Sequence, residues 1–339
     1  ARSSNWSFTT GDTTPPSVLL AIPANAATAV ATNATITVKF NDNGGVASNS
    51  FVVRVAGTTA LSNGAFLAGF TGSLVRTNAT AFKAVVDRDL PYANLTSITV
   101  RATAGDATAN SRTTNFAFTT ADTTAPVVVA TSPAAGATGV ATNANIVVKF
   151  DDGNGVSSNT IVVKVSNITA VSNGAFLVGF TGSIVRTNGT AFKAVVDRTV
   201  AFGGLDVIGI AATARDIVGN LRSTNWSFTT SDTTPPVVLL TIPVEGATDV
   251  ATNANIVVKF DDDVAVVSNT VVVRVDGVTA VSNGAFLAGF TGSIVRTNAT
   301  AYKVTVNLMS AYLMLASVTV DAGAADGGAN TRSTNWTFT

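Results

Sequence analysis

The chain has 339 residues, 20 basic and 20 acidic side chains, no His and no Cys. That inventory excludes Ser-His-Asp and Cys-His catalysis, thiolate zinc sites, imidazole metal ligands and disulfide staples, and a net charge of zero leaves no electrostatic footprint for nucleic acid or an anionic membrane. Only 12% of residues are charged and mean hydropathy is +0.39, yet no apolar run approaches the ~18–20 residues of a membrane span.

The exterior must therefore be covered mainly by Thr, Ser, Asn and Ala, a weakly charged surface suited to packing against other chains. Residues 1–9 match 331–339, so segment 1–11 reads as the surplus last strand of a preceding repeat, and the sequence as a piece of a longer repeated chain. Addition of that strand to a neighbouring chain's sheet edge is the alternative. Neither a secretory signal peptide nor a natural start is visible at Ala1.

Self-similarity is the dominant feature of the sequence. Val-Ala-Thr-Asn begins at Val30, Val140 and Val250, and Ser-Asn-Gly-Ala-Phe-Leu at Ser62, Ser172 and Ser282, a period of 110 residues. A period of this length is one domain per repeat rather than a solenoid, and it divides the chain into 12–121, 122–231 and 232–339. Each repeat opens on a short linker, Asp12-Thr13-Thr14-Pro15-Pro16 and its counterparts at Asp122 and Asp232, made semi-rigid by proline.

In the second repeat, Ile146, Val148 and Phe150 alternate with polar or outward positions, as do Ile161, Val163 and Val165. Further strands are predicted over 183–186, 191–196, 206–214 and 223–229. Turns are predicted at 152–155, at Asn173-Gly174 and at Asn188-Gly189. No helical period appears. About seven short strands per repeat predict an all-β fold: three tandem immunoglobulin-like antiparallel β-sandwiches. At ~3.3 Å per residue, strands of this length plus loops give roughly 35–40 Å per domain.

The Asp-Thr-Thr-Pro-Pro opening, the stretch 132–140, Asp216-Ile217-Val218-Gly219-Asn220 and the closing Asn225-Trp226-Ser227-Phe228 resemble bacterial Ig-like domains. The resemblance covers essentially the whole chain. It implies a location outside the cell or on its surface, in surface-layer proteins or giant biofilm adhesins. One departure is the segment Asp151-Asp152-Gly153-Asn154-Gly155, where many relatives carry a Ser-x-Pro-Met-Asp-like sequence.

The acids repeat with the domains. If the first strand leaves the N-terminal pole of a sandwich and the second returns to it, the acidic residues of three segments, a linker, a loop and a turn, meet there in each repeat. They are Asp12, Asp42 and Asp106 in the first; Asp122, Asp151, Asp152 and Asp216 in the second; Asp232, Asp261, Asp262, Asp263 and Asp326 in the third. The same topology sends Asp87 and Asp89 towards the second cluster and Asp197 towards the third. Converging carboxylates repel unless neutralised, and oxygen-only ligands on flexible loops favour Ca²⁺. The expectation is Ca²⁺ at the domain junctions, which the resemblance also implies. The competing reading is that Asp and Asn are ordinary turn residues.

Trp6, Trp226 and Trp336 are candidate sugar platforms or, since Trp226 and Phe228 share one strand face, core. Asn-x-Ser/Thr sequons, Asn94 among them, leave glycan attachment open. Arg76, Arg186 and Arg296 with Lys83, Lys193 and Lys303 form a repeated basic pair, either a solvated edge that blocks sheet pairing or a contact to a neighbour's acidic loop. A glycosidase needs two carboxylates in a cleft, and small identical domains offer none, so no catalysis is expected. The expectation is an extracellular structural array, part of a surface layer, sheath or fibre, whose partners are copies of itself or neighbouring repeats, or else the stalk of a large calcium-stiffened adhesin.

Overall fold

The computed structural model describes residues 2–339. The first repeat contains β1 (Ser17–Ile22), β2 (Ala27–Val30), β3 (Ile36–Asn41), β4 (Val52–Val55), β5 (Thr58–Ser62), β6 (Ala65–Phe66), β7 (Phe70–Arg76), β8 (Ala81–Arg88), β9 (Ser97–Gly105) and β10 (Ser111–Thr120). These form two sheets, in the orders β1-β3-β8-β7 and β2-β10-β9-β4-β5-β6. All pairings are antiparallel except β2 with β10. The second and third repeats reproduce the four-stranded sheet and a five-stranded partner, where the β2 contact shrinks to single parallel bridges, Val140 to Thr230 and Ala247 to Phe338.

Alternation explains the layers. On β3, Ile36, Val38 and Phe40 are buried while Thr37, Lys39 and Asn41 face outward, as a period of two requires. Phe40 and its counterparts Phe150 and Phe260 are fully buried, and truncating such a side chain costs about 3–5 kcal/mol. Phe40 meets Phe51 edge to face at 5.6 Å between ring centroids, the geometry favoured by the ring quadrupole. Each repeat encloses its own apolar core.

The strands of the second repeat lie where alternation predicts them, with extended ends: Val156–Val165 absorbs 161–165, and Phe180–Arg186 absorbs 183–186. The hairpin Ile168–Ser172 to Ala175–Phe176 lies outside the predicted strands, although its turn is among the predicted ones. Asn173 and Gly174 both take positive φ, 50° and 74°, as a type I′ turn demands. Asn188-Gly189 differs. There Asn188 Oδ1 accepts the Thr190 and Ala191 backbone N–H groups, and the Arg186 guanidinium donates to the Asn188 and Gly189 carbonyls. At Gly72 on β7, φ is 150° and an added Cβ would lie 2.0 Å from the Val85 carbonyl oxygen, so only glycine fits.

Side-chain roles that the sequence leaves open are decided by position. Trp226 and Trp336 are core residues, 9% and 3% exposed. The Trp226 indole donates to the Pro133 carbonyl at 3.0 Å, and burial keeps both rings from serving as sugar platforms. Trp6 is 81% exposed. The basic pair lies on the β7–β8 hairpin, with Arg76 on the edge strand and Lys83 on its neighbour. Arg76 braces its own loop by donating to the Asn78 and Ala79 carbonyls. Lys83 lies on β8, an interior strand, opposite Lys39 of β3, so it guards no sheet edge.

Candidate metal centre

At one pole of each sandwich three elements converge: the linker before β1, the loop after β3 and the turn between β9 and β10. Each contributes one aspartate. The clusters are Asp12, Asp42 and Asp106; Asp122, Asp152 and Asp216; and Asp232, Asp262 and Asp326, each with one carboxylate oxygen per residue lying within 4.8 Å of the other two. Except for Asp12 and Asp262, which are half-buried, all of these side chains are buried.

Local hydrogen bonds aim the carboxylates. Asp216 Oδ1 accepts the Val218, Gly219 and Asn220 backbone N–H groups, and Oδ2 accepts the Asn220 amide at 2.6 Å. Asp152 Oδ1 accepts the Asn154 N–H at 2.8 Å. Asp122 Oδ1 accepts both the N–H and the hydroxyl of Thr124, the Asx-turn habit of an Asp two residues before Thr. These bonds spend Oδ1 of the linker aspartate and leave Oδ2 turned inward. In all three repeats that atom, on Asp12, Asp122 and Asp232, is buried without a hydrogen-bond partner. A buried polar atom left unpaired costs roughly 1–3 kcal/mol, and the same oxygen is so placed in every repeat, where a positive ligand would satisfy it.

Electrostatics sort the three acids. Burial, followed by the charges of Asp122 and Asp216, pushes the Asp152 carboxyl above its ordinary value. Asp42 and Asp262 are raised for the same leading reason. Burial also pushes at Asp122 and Asp106, but there the hydrogen bonds outweigh it and the net shift is downward. Thr14 lowers Asp12 chiefly through its hydroxyl. The acid from the loop after β3 is thus the one that resists ionisation while no cation balances the cluster. Three carboxylates from three loops form a hard, oxygen-only donor set, which fits Ca²⁺.

Other expected ligands lie elsewhere. Asp151 and Asp261 accept the Thr190 and Thr300 hydroxyls at 2.7 Å each. They directly precede the cluster residue at a strand end, so they point the other way. Asp263 sits at the rim, where it accepts the Thr234 hydroxyl. Asp87 accepts the Thr35 hydroxyl within its own repeat. Neither Asp87 nor Asp89 joins the second cluster, and Asp197 does not join the third. The chain runs on past β8, and the residue that reaches the next repeat is Asn94, a neutral amide that a reading confined to carboxylates passes over.

Asn94 is presented by an anchored loop. Tyr92 is buried, packs edge to face on Phe118 at 5.9 Å and lies under the Arg88 guanidinium. Leu95 then takes φ of 49°, and Thr120 Oγ1 holds the turn by donating to the Ala93 carbonyl while accepting the Thr96 N–H. From that turn the Asn94 amide donates to Asp122 Oδ1 at 3.0 Å and to Thr124 Oγ1 at 3.2 Å, and its carbonyl accepts the Thr123 N–H at 2.7 Å. The counterpart of Asn94 in the second repeat is Gly204, where an added Cβ would lie 2.6 Å from Thr233 Oγ1.

Among the described residues, no helix is long and apolar enough to cross a membrane. A search of curated protein sequences found no match. Among solved structures, the chain is similar to protocadherin gamma B2 extracellular cadherin domains 3–6, at 14% identity over 96% of this chain and 78% of that one, with a TM-score of 0.48. It is also similar to a chain of the Dpr2 Ig1–Ig2 complex with DIP-Theta Ig1–Ig3, at 10% identity over 96% and 99%, with a TM-score of 0.35. The family profile of the bacterial Ig-like domain matches three times in tandem, over residues 12–120, 122–230 and 232–339. With strand order, core and sequence profile in agreement, the chain belongs to the bacterial Ig-like domain family.

Proposed function

We propose that this chain is a stretch of an extracellular structural array, part of a surface layer, sheath or fibre, whose sandwiches are joined through Ca²⁺-binding junctions. The observation that carries the reading is the recurrence of the aspartate triad with one buried, unpartnered oxygen at the same pole of every repeat. Asp12, Asp42 and Asp106 would hold the first ion, Asp122, Asp152 and Asp216 the second, and Asp232, Asp262 and Asp326 the third. A bound cation would supply the positive charge that lets all three carboxylates ionise together. It would also tie the linker to two loops of the repeat that follows it, and so limit bending. Weakly charged Thr- and Ser-rich faces would then let copies of the chain pack beside one another. Tandem Ig-like sandwiches are typical of non-enzymatic structural or adhesion proteins, and no catalytic role is assigned.

The stalk of a large adhesin is the second reading, favoured by the same stiffened junctions if the sheet faces do not associate. Negative-stain electron microscopy of the chain in calcium and in chelator separates the two. Filaments or sheets that disperse in chelator support the structural array. Monodisperse rods in calcium that bend in chelator support the stalk. Calorimetric titration showing no calcium uptake would remove the cation from both.

A further inference from the structure

We propose that the middle site, Asp122 with Asp152 and Asp216, is coupled through Asn94 to the seating of the first repeat on the second, and that the third site has no such coupling. This inference rests on the proposed cation binding and assigns it a regulatory residue outside the ligand set. The geometry is specific. Asp122 Oδ1 receives three donors, two from Thr124 and one from Asn94 across the junction. With that oxygen committed, Oδ2 is fixed facing Asp152 and Asp216, buried and unpaired. Asn94 also accepts the Thr123 N–H, so the first repeat grips both sides of the linker turn that bears the ligand. Holding a ligand in its bound geometry raises affinity by cutting the ordering cost of binding. By linkage, a cation at the site must then favour the docked junction by the same factor.

The third site supplies the contrast within one molecule. Among the described residues, Asp232 Oδ1 accepts only the Thr234 N–H and hydroxyl. The position of Asn94 is there Gly204, which has no side chain to offer. Asp232 Oδ2 is nevertheless buried and unpaired like its counterpart, so both sites can take a cation and only one is clamped by the preceding repeat. Asn94 is a positioning residue, because it acts on the ion through Asp122.

The test uses the full chain, with single sites isolated by substitution. Asp42→Asn with Asp262→Asn leaves the middle site, and Asp42→Asn with Asp152→Asn leaves the third. Calcium affinity is measured by calorimetry with and without Asn94→Gly, a variant that installs the residue the second repeat already carries at this place. Loss of a hydrogen bond to a charged group predicts middle-site affinity lower by about tenfold, with the third site unchanged. Since the chain has no Cys, nitroxides placed at Thr113→Cys, Ser223→Cys and Ser333→Cys, exposed and equivalent in the three repeats, read the junctions independently. Asn94→Gly should broaden the 113–223 distance distribution in calcium and leave 223–333 as it was. Equal middle-site affinities, or equal effects of Asn94→Gly on both sites, overturn the coupling while calcium binding stands. No calcium uptake by either isolated site overturns the cation reading and the coupling with it.

Discussion

Between the first and second repeats a side chain crosses the junction: Asn94 hydrogen bonds to Asp122, Thr123 and Thr124, and Leu95 lies beside Gly153. Between the second and third repeats the backbones themselves close up. A Cβ on Gly204 would sit 2.6 Å from Thr233 Oγ1 and 3.0 Å from its backbone nitrogen, and within the second repeat the Leu205 N–H donates to the Ser231 carbonyl just before the linker. The leucine after each position shares the left-handed conformation, with φ of 49° at Leu95 and 57° at Leu205. It is half-buried in the first junction and 39% exposed in the second. One fold thus solves the same joining problem twice. A polar clamp tolerates some distance, and a glycine contact requires none.

Removing the cation should have the largest effect on this pair. At a hundredfold excess of calcium over the dissociation constant, each intact site adds about 2.7 kcal/mol. Asp152→Asn and Asp262→Asn should each abolish one such share of the calcium-dependent rise in Tm. In chelator neither should lower it, because each relieves repulsion. Scanning calorimetry with and without chelator checks both. An equal loss of Tm in the two conditions would mean that these aspartates are only turn residues.

Overpacking the second junction comes next. Gly204→Val should cost about 1–3 kcal/mol and widen the 223–333 nitroxide distance without touching 113–223. Leu95→Ala should cost about 1 kcal/mol through lost apolar contact, and Leu205→Ala less, since more of that side chain is already in water. Denaturant midpoints of the two variants provide the measurement. A larger loss at Leu205 would reverse the order of the junctions.

The smallest effect is one of pH. The fold raises the Asp152 and Asp262 carboxyls above 3.8, mainly through burial. In chelator their contribution is therefore complete below 3.8 and is lost as pH rises through their folded values. The lowered Asp122 behaves oppositely: its contribution is present above 3.8 and disappears as pH falls through its folded value. A cation-free melting series should show stability declining with rising pH in the first window, and calcium should erase that decline.

Much of the fold is legible in the residues alone. Alternation at Ile146, Val148 and Phe150 marks a strand buried on one side, and the 110-residue period marks the domains. The convergence of Asp122, Asp152 and Asp216 follows from asking which loops share a pole. Asp151 can be set aside on the same alternation, because it continues the outward row of Val147 and Lys149. Asn94 is beyond reach. Its role depends on how far the loop after β8 travels, and that is set by Tyr92 docking on Phe118, a tertiary contact with no local pattern. Asp87 and Asp89 draw attention in its place only because they carry charge.

In each repeat, β1 starts at the pole that holds the aspartates, and β10 starts there too but ends at the opposite pole, where the next linker begins. Tension applied along the chain therefore enters and leaves parallel to the strands. The β1–β3 and β9–β10 ladders would be loaded in shear, with all their hydrogen bonds sharing the force at once rather than opening one by one. Under pulling, the chain should lengthen first at its linkers, and each sandwich should hold until a whole ladder slips.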